Sequence, residues 1–487
     1  MIASRLSEDT EATVLLLEAG NELSAERLVQ PQAWASLATT TANWGERTVV
    51  QAATGTSVPL PRGRGLGGSS AINAMAFARG HESSYRDWTE DGAPGWTFED
   101  LLPYFRRSET THGRDPALRG VDGPLRVGPG EPRNPFVEAC RQAALELGHP
   151  EAEDISGGRD HGFGRMDQNV VDGRRQSAAD AYLAPALSRP NLTVVTGAMV
   201  TRLRLDGDRC TGLDYVSDSG ELVTVASHGE VVLTAGTIGS AQLLLLSGIG
   251  PEAHLHEVGI PVEAVLPGVG QNFHDHPTCS LSYLAASGVS PRLDDHMERV
   301  VGLVHSDQTI HGRPDLQILF MDNPVVGSNQ DGPPHGFSIR TSLMLPHSRG
   351  QLRLVSPDPA DRPRLDPNYY ADPRDIAAVR DGLRMARAIG RSDALATWRA
   401  AEFLPGPQHT DEDLDSYIRQ SLDSYHHPVG TCRMGNDVDA VVDPWLRVHG
   451  LNGLRVADGS VIPSVPSANT NATVYAIAER AAELLTS

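Results

Sequence analysis

The chain has 487 residues, 39% hydrophobic and 21% charged, with a formal charge of −21. Such a length fits two or three domains, or one large domain with insertions, and the composition is that of a globular protein. The negative charge argues against nucleic acid and against an anionic membrane surface, both of which are held through Lys and Arg.

In chain order, "ATVLLLEAG" comes first, an apolar run closed by Glu18 and Gly20. It reads as the second strand of a Rossmann-type unit, whose terminal acid takes the ribose hydroxyls of a dinucleotide. A glycine-rich phosphate loop should precede that acid by about 20 residues, yet only 17 residues stand before Glu18. A literal GxGxxG occurs later, at Gly63-Arg64-Gly65-Leu66-Gly67-Gly68, with Glu82 beyond it. Pro59 and Pro61 remove N–H groups that a central parallel strand needs, so this match reads as a tight glycine turn and not as the phosphate loop. Residues 191–229 alternate apolar and polar and predict an antiparallel meander. "EVVLTAG" (230–236) predicts a buried strand, and "SAQLLLLSGIG" (240–250) a helix stopped by Gly248 and Gly250. From 271 to 425 the character changes. The runs "LQILFM", "FSIRTSLML" and "GQLRLVS" predict strands, and "DPRDIAAVRDGLRMARAIG" predicts a helix ending on Gly390. The tail returns to strand, loop and amphipathic helix.

The expected fold class is therefore α/β: a Rossmann-like nucleotide-binding domain (1–270, completed by 426–487) with a substrate domain of antiparallel sheet and helices (271–425). Four scattered cysteines without a CxxC pair suggest reduced thiols, a cytoplasmic location and no structural zinc. The longest apolar stretch is too short to span a bilayer, and no leader pattern is read at the N-terminus. "HDH" at 274–276 places two imidazoles on one side of an extended segment, a weak metal signal.

Six stretches together resemble the glucose–methanol–choline (GMC) family of flavin oxidoreductases. They are "GRGLGGSSAINAMAFARGHESSYRDW" (63–88), "GTIGSAQLLLLSGIG" (236–250), "GVGQNFHDHP", "RLDPNYYADPRD", "YHHPVGTCRMG" (425–435) and "ADGSVIPSVPSANTNATVYAIAERAAELL" (457–485). They follow the family's order over nearly the whole chain. The resemblance implies FAD, and oxidation of an alcohol by hydride transfer to the flavin. It also implies that the first strand and GxGxxG loop precede "ASRLSED", so the chain is expected to begin inside the first helix, with weakened FAD binding.

By the same resemblance, His427 is the catalytic base. Histidine suits the role because its pKa lies near the working pH. Its position before Pro428 favours extended geometry, which would turn His426 and His427 to opposite sides. Asn469 matches the second active-site position, where an amide can steady the developing alkoxide. Glu18 is expected at the adenosine ribose, and Val200 at the adenine. Gly67, Gly68, Ser69 and Asn73 are expected on the flavin side, Asp458 and Gly459 near the phosphates or ribityl chain, and Asn471 beside the cofactor. Some members link flavin covalently through a histidine; Ile72 stands at that position here, so non-covalent FAD is expected. No metal ligand set is expected. The implied partners are a small-molecule alcohol and an electron acceptor, either oxygen, a quinone or another carrier. The same residues suit two other readings: a flavin-dependent lyase, or a flavin-free scaffold lacking its phosphate loop. An intact His427 and Asn469 argue against the scaffold.

Overall fold

Two hydrophobic cores organise the chain. The computed structural model describes all of it except residues 22–25, 131–133, 293–298, 310–312, 328–329 and 487. The first core joins the two ends of the sequence. It packs Ile238, Leu244 and Leu245 against Leu454, Val456 and Ile477. The helix Gly236–Leu246 is apolar on every side and accordingly sits inside. Beside it Val231–Leu233 pairs in parallel with Leu454–Val456. A second parallel pair joins Val14–Leu17 to Leu192–Val195. Among the described residues, no hydrogen-bonded strand links these two pairs. The predicted meander is present as Met199–Asp206, Arg209–Val216 and Leu222–Ala226.

The second core lies on one face of a large antiparallel sheet. Its order is Arg399–Leu404, Pro277–Ala285, Gly336–Leu343, Leu316–Met321, Val300–Val304, Gly162–Arg165, with Asp423–Ser424 pairing Pro277–Ala285. Side chains alternate along each strand. Leu281, Ile318, Phe320, Phe337 and Ile339 face this core, where the helix Pro373–Arg391 packs. Thr278, Gln317, Ser338, Arg340 and Ser342 take the opposite face, and all five are buried.

Local chemistry starts that helix. Pro373 occupies its first turn, and the Asp372 carboxylate accepts the Arg374 N–H. The helix runs one residue past the glycine predicted to end it. Gly390 is packed under Tyr283, whose hydroxyl would collide with any added Cβ. It serves close packing, not termination. "GQLRLVS" forms a strand only over Gln351–Arg353, paired with Arg364–Asp366. The sheet also takes its edge strand, Gly162–Arg165, and the packing helix Pro135–Glu146 from outside 271–425. Gly302 leaves the room that the Phe163 ring fills. All four cysteines are buried and unpaired, and among the described residues no helix is long and apolar enough to cross a membrane.

Candidate active site

The segments around His274 and His427 lie side by side. The His274 and Val429 main chains exchange hydrogen bonds at 3.3 and 2.9 Å, and the Tyr425 N–H donates to the His276 carbonyl at 3.0 Å. Asp275 pins this junction. Its buried carboxylate accepts the main-chain N–H groups of His276 and His427, each at 2.8 Å, and the hydroxyls of Ser424 and Tyr369. Burial pushes the Asp275 carboxyl upward, and the four donors pull against it. His426 adopts a left-handed φ of 64°. The segment is thus not extended there as expected, yet His427 is buried and His426 exposed.

A chain of hydrogen bonds sets the protons on these rings. His276 Nε2 lies 3.2 Å from the Met344 carbonyl oxygen. A carbonyl only accepts, so this nitrogen carries hydrogen and His276 Nδ1 is an acceptor. His427 Nδ1, 3.0 Å away, must then donate to it. His427 Nε2 is left with a free lone pair, which Asn469 Nδ2 meets at 3.1 Å. Burial, followed by the neighbouring His276, His426 and Arg340, holds the His427 pKa well below that of an ordinary histidine. The ring is thus neutral at physiological pH, with its basic nitrogen aimed at Asn469. Asn469 Oδ1 and, two residues on, Asn471 Nδ2 are buried without a partner. Asn469 lies beside His427, and the two amides are candidates to meet a ligand's polar atoms.

The residues expected at the cofactor gather into two regions. Glu18 ends the strand Val14–Leu17; its Oε1 accepts the N–H groups of Gly20 at 2.7 Å and Gly65 at 2.9 Å. Its Oε2 has no protein donor among the described residues and so is open to a donor from a ligand. A Cβ on Gly20 would collide with the main chain of Arg64 and Gly65, and one on Gly63 with that of Gly68. The GRGLGG turn therefore docks onto the acid-bearing strand end. The residues leading into it, Pro59–Leu60, pair antiparallel with Glu46–Arg47, not in a parallel sheet. Gly67 is left-handed at φ 92°, and Ser69 Oγ accepts the Gly63 N–H at 3.1 Å. Asn73 Oδ1 accepts the Met75 N–H at 3.0 Å and Arg175 Nη1 at 2.8 Å. Val200 lies two residues beyond Ala198, whose N–H bonds the Glu18 carbonyl at 2.9 Å.

The second region is the turn at Asp458 and Gly459. The Asp458 carboxylate is spent inside the protein, accepting the Gly236 N–H at 2.9 Å, the Ser240 hydroxyl at 2.6 Å and the Ser460 N–H at 2.8 Å. That leaves the main chain of the turn, and not the carboxylate, as what it could offer a ligand. Ile72 packs with Leu28, Leu37 and Ala42 and offers no nucleophile. A free carboxylate oxygen at a strand end, a glycine turn against it and two orphaned amides fit a flavin dinucleotide.

Asp275 and His276 are the site residues that sequence reasoning missed. Their only signal was "HDH", read as a weak metal motif. His274 uses both ring nitrogens on the main chain, donating to the Asn272 carbonyl at 2.6 Å and accepting the Val465 N–H at 3.0 Å. Among the described residues no His, Cys, Asp and Glu group is disposed to hold a metal.

Comparison with known proteins gives the family. Residues 28–278 and 346–478 match the N- and C-terminal family models described as GMC oxidoreductase. An oxygen-dependent choline dehydrogenase of Rhizobium rhizogenes is 38% identical over 99% of this chain and 92% of its own. The mitochondrial choline dehydrogenase of Mus musculus is 37% identical over 100% of this chain and 87% of its own. The crystal structure of a pyridoxine 4-oxidase from Mesorbium loti superposes with a TM-score of 0.94 at 36% identity, covering 99% of this chain and 96% of that one. A formate oxidase from Aspergillus oryzae, studied for modification of its FAD, superposes at 0.92 with 27% identity, covering 100% of this chain and 95% of that one. The chain belongs to the GMC oxidoreductases, FAD-dependent enzymes that act on the CH–OH group of alcohols.

Proposed function

We propose that His427 is the base and Asn469 the alkoxide partner in oxidation of a small-molecule alcohol. The supporting observation is the hydrogen-bond chain from the Met344 carbonyl through His276 to His427, which leaves His427 Nε2 unprotonated and facing Asn469. A substrate hydroxyl entering between them donates to Nε2 and accepts from Asn469 Nδ2. His427 takes the hydroxyl proton as the carbonyl forms, and the Asn469 N–H steadies the charge that grows on oxygen. FAD, when bound, supplies the acceptor for the hydride of the α-carbon. Glu18, the 63–69 turn, Asn73, the main chains at Val200 and Gly459, and Asn471 hold that cofactor. It is held non-covalently, since Ile72 has no nucleophile. The electrons pass on to an external acceptor, oxygen or a carrier such as a quinone.

His427→Ala should slow anaerobic flavin reduction by roughly 10²–10⁴-fold, the usual range for general-base catalysis, and His426→Ala far less. Stopped-flow bleaching of the flavin measures both, and an exchange of their behaviour refutes the assignment. Acid precipitation should release all flavin into the supernatant; colour kept in the pellet contradicts the non-covalent reading.

A further inference from the structure

Two residues in the left-handed conformation flank Tyr369: Asn368 at φ 56° and Tyr370 at φ 59°. Residues other than glycine rarely adopt it unless their surroundings hold them. Here the Asn368 N–H donates to Asp366 Oδ1 at 2.9 Å, its Nδ2 to the Arg349 carbonyl at 3.0 Å, and the Tyr369 N–H to Gln51 Oε1 at 2.9 Å. The Tyr369 hydroxyl, fixed by this turn, donates to Asp275 Oδ2, 94 residues away in the chain. Ser424 is anchored separately. It pairs with Pro277 at the end of the large sheet, and its carbonyl accepts Arg340 Nη2 at 3.2 Å.

The two anchors meet on one carboxylate. Asp275 Oδ2 accepts the hydroxyls of Tyr369 and Ser424, and Oδ1 accepts the N–H groups of His276 and His427, each at 2.8 Å. Ser424 Oγ in turn accepts the His426 N–H at 2.8 Å. The main-chain N–H of His427 thus ends on Asp275 directly, and that of His426 through the Ser424 hydroxyl. The left-handed φ of His426, 64°, lies inside this ring of bonds. Asp275, Tyr369 and Ser424 are all buried. Water does not compete with the bonds there, so they hold the bend more firmly than they would at the surface.

We propose that Tyr369, Asp275 and Ser424 form a clamp that positions the base: it holds the bend at His426 and thereby sets His427 Nε2 against Asn469 Nδ2, 3.1 Å away. The proposal rests on His427 acting as the base. None of the three side chains acts on the alcohol; each is a positioning residue. Misplacing a reacting group by about 1 Å can cost roughly 100-fold in rate, so the clamp bears on the chemical step and not on affinity for the alcohol.

The test follows anaerobic reduction of the flavin-loaded enzyme by benzyl alcohol and by choline, with rates taken per bound flavin so that unfolded molecules do not count. In Asp275→Asn the limiting rate should fall roughly 10- to 100-fold, while the alcohol concentration giving half that rate changes little. The double variant Tyr369→Phe/Ser424→Ala, which keeps the carboxylate and removes its two hydroxyl donors, should fall in the same sense and stands in if Asp275→Asn does not fold. In the His427→Ala background the same substitutions should slow reduction no further, because the clamp acts through that ring; a merely structural role would slow both backgrounds alike. In crystals of either clamp variant the separation of His427 Nε2 from Asn469 Nδ2 should exceed the 3.1 Å seen here. An unchanged limiting rate, an equal loss in the His427→Ala background, or an unchanged separation would each overturn the proposal and leave the role of His427 intact. If His427→Ala alone reduced its flavin at the wild-type rate, the base assignment would fail, while the crystal separation still decided whether the clamp places the ring.

Discussion

At the scale of single residues, the proton positions on His427 are set by atoms on other segments. His427 Nδ1 must donate because His276 Nδ1 can only accept, and His276 is fixed by the Met344 carbonyl. Burial first, and then the neighbouring His276, His426 and Arg340, hold the His427 pKa well below its ordinary value of about 6.5. The sign is simple: a lowered pKa keeps the ring neutral, and basic, further into acid. The acid limb of kcat/KM should accordingly lie below pH 6.5, and flavin reduction at pH 6 should keep most of its neutral-pH rate. A limb at or above 6.5 would mean that the ring titrates like an exposed histidine.

At the scale of elements, glycine does two jobs in this chain. Gly20 and Gly63 bring main chain against main chain, so the GRGLGG turn reaches the Glu18 carboxylate. Gly390 instead lets the helix Pro373–Arg391 settle onto the sheet under Tyr283. Tyr283 itself stacks on Phe337, with centroids 5.0 Å apart, and has little room to retreat. Gly390→Ala should therefore destabilise the enzyme by about 1–3 kcal/mol, the cost of overpacking a filled core. Alanine's helix propensity, about 1 kcal/mol better than glycine's, offsets only part of that. Denaturant unfolding of the two proteins measures the difference; an unchanged or raised midpoint would show that the contact relaxes freely.

At the scale of the whole molecule, three buried histidines gather at the junction of the His274 and His427 segments, and they make stability depend on pH. His274, His276 and His427 are all buried, and burial lowers each pKa, that of His276 to about 3. In the unfolded chain these rings titrate near 6.5. Between the folded and unfolded values, the unfolded state binds protons that the folded state refuses. Their contribution is thus fully present above about pH 6.5 and is lost as pH falls below it. Asp275 and Asp458, whose carboxyls burial raises, act in the opposite sense. The denaturation midpoint should drop between pH 7.5 and 5.5, and it should drop less in His276→Gln, which has no titrating ring. An equal drop in both would remove His276 from the account.

Local periodicity and motif order carried much of this protein in the sequence itself. The strand Leu316–Met321, the helix Pro373–Arg391, the meander and the Glu18 strand follow from patterns that neighbouring residues set among themselves. The sequence likewise marked His427 and Asn469, since both lie in contiguous motifs. Only the tertiary structure decided what those residues face. His276 meets His427 across 151 residues of chain, and the Asp275 carboxylate reaches the His427 N–H across 152. Alternation separated the polar from the apolar side of the large sheet, but which side met His427 depended on closure of the second core around Phe136 and Phe163. The same holds for Gly390, a helix stop by local rules and a packing contact once Tyr283 lies over it. A local pattern records the periodicity of one segment; a proton's position on an imidazole depends on partners that arrive only when distant segments pack.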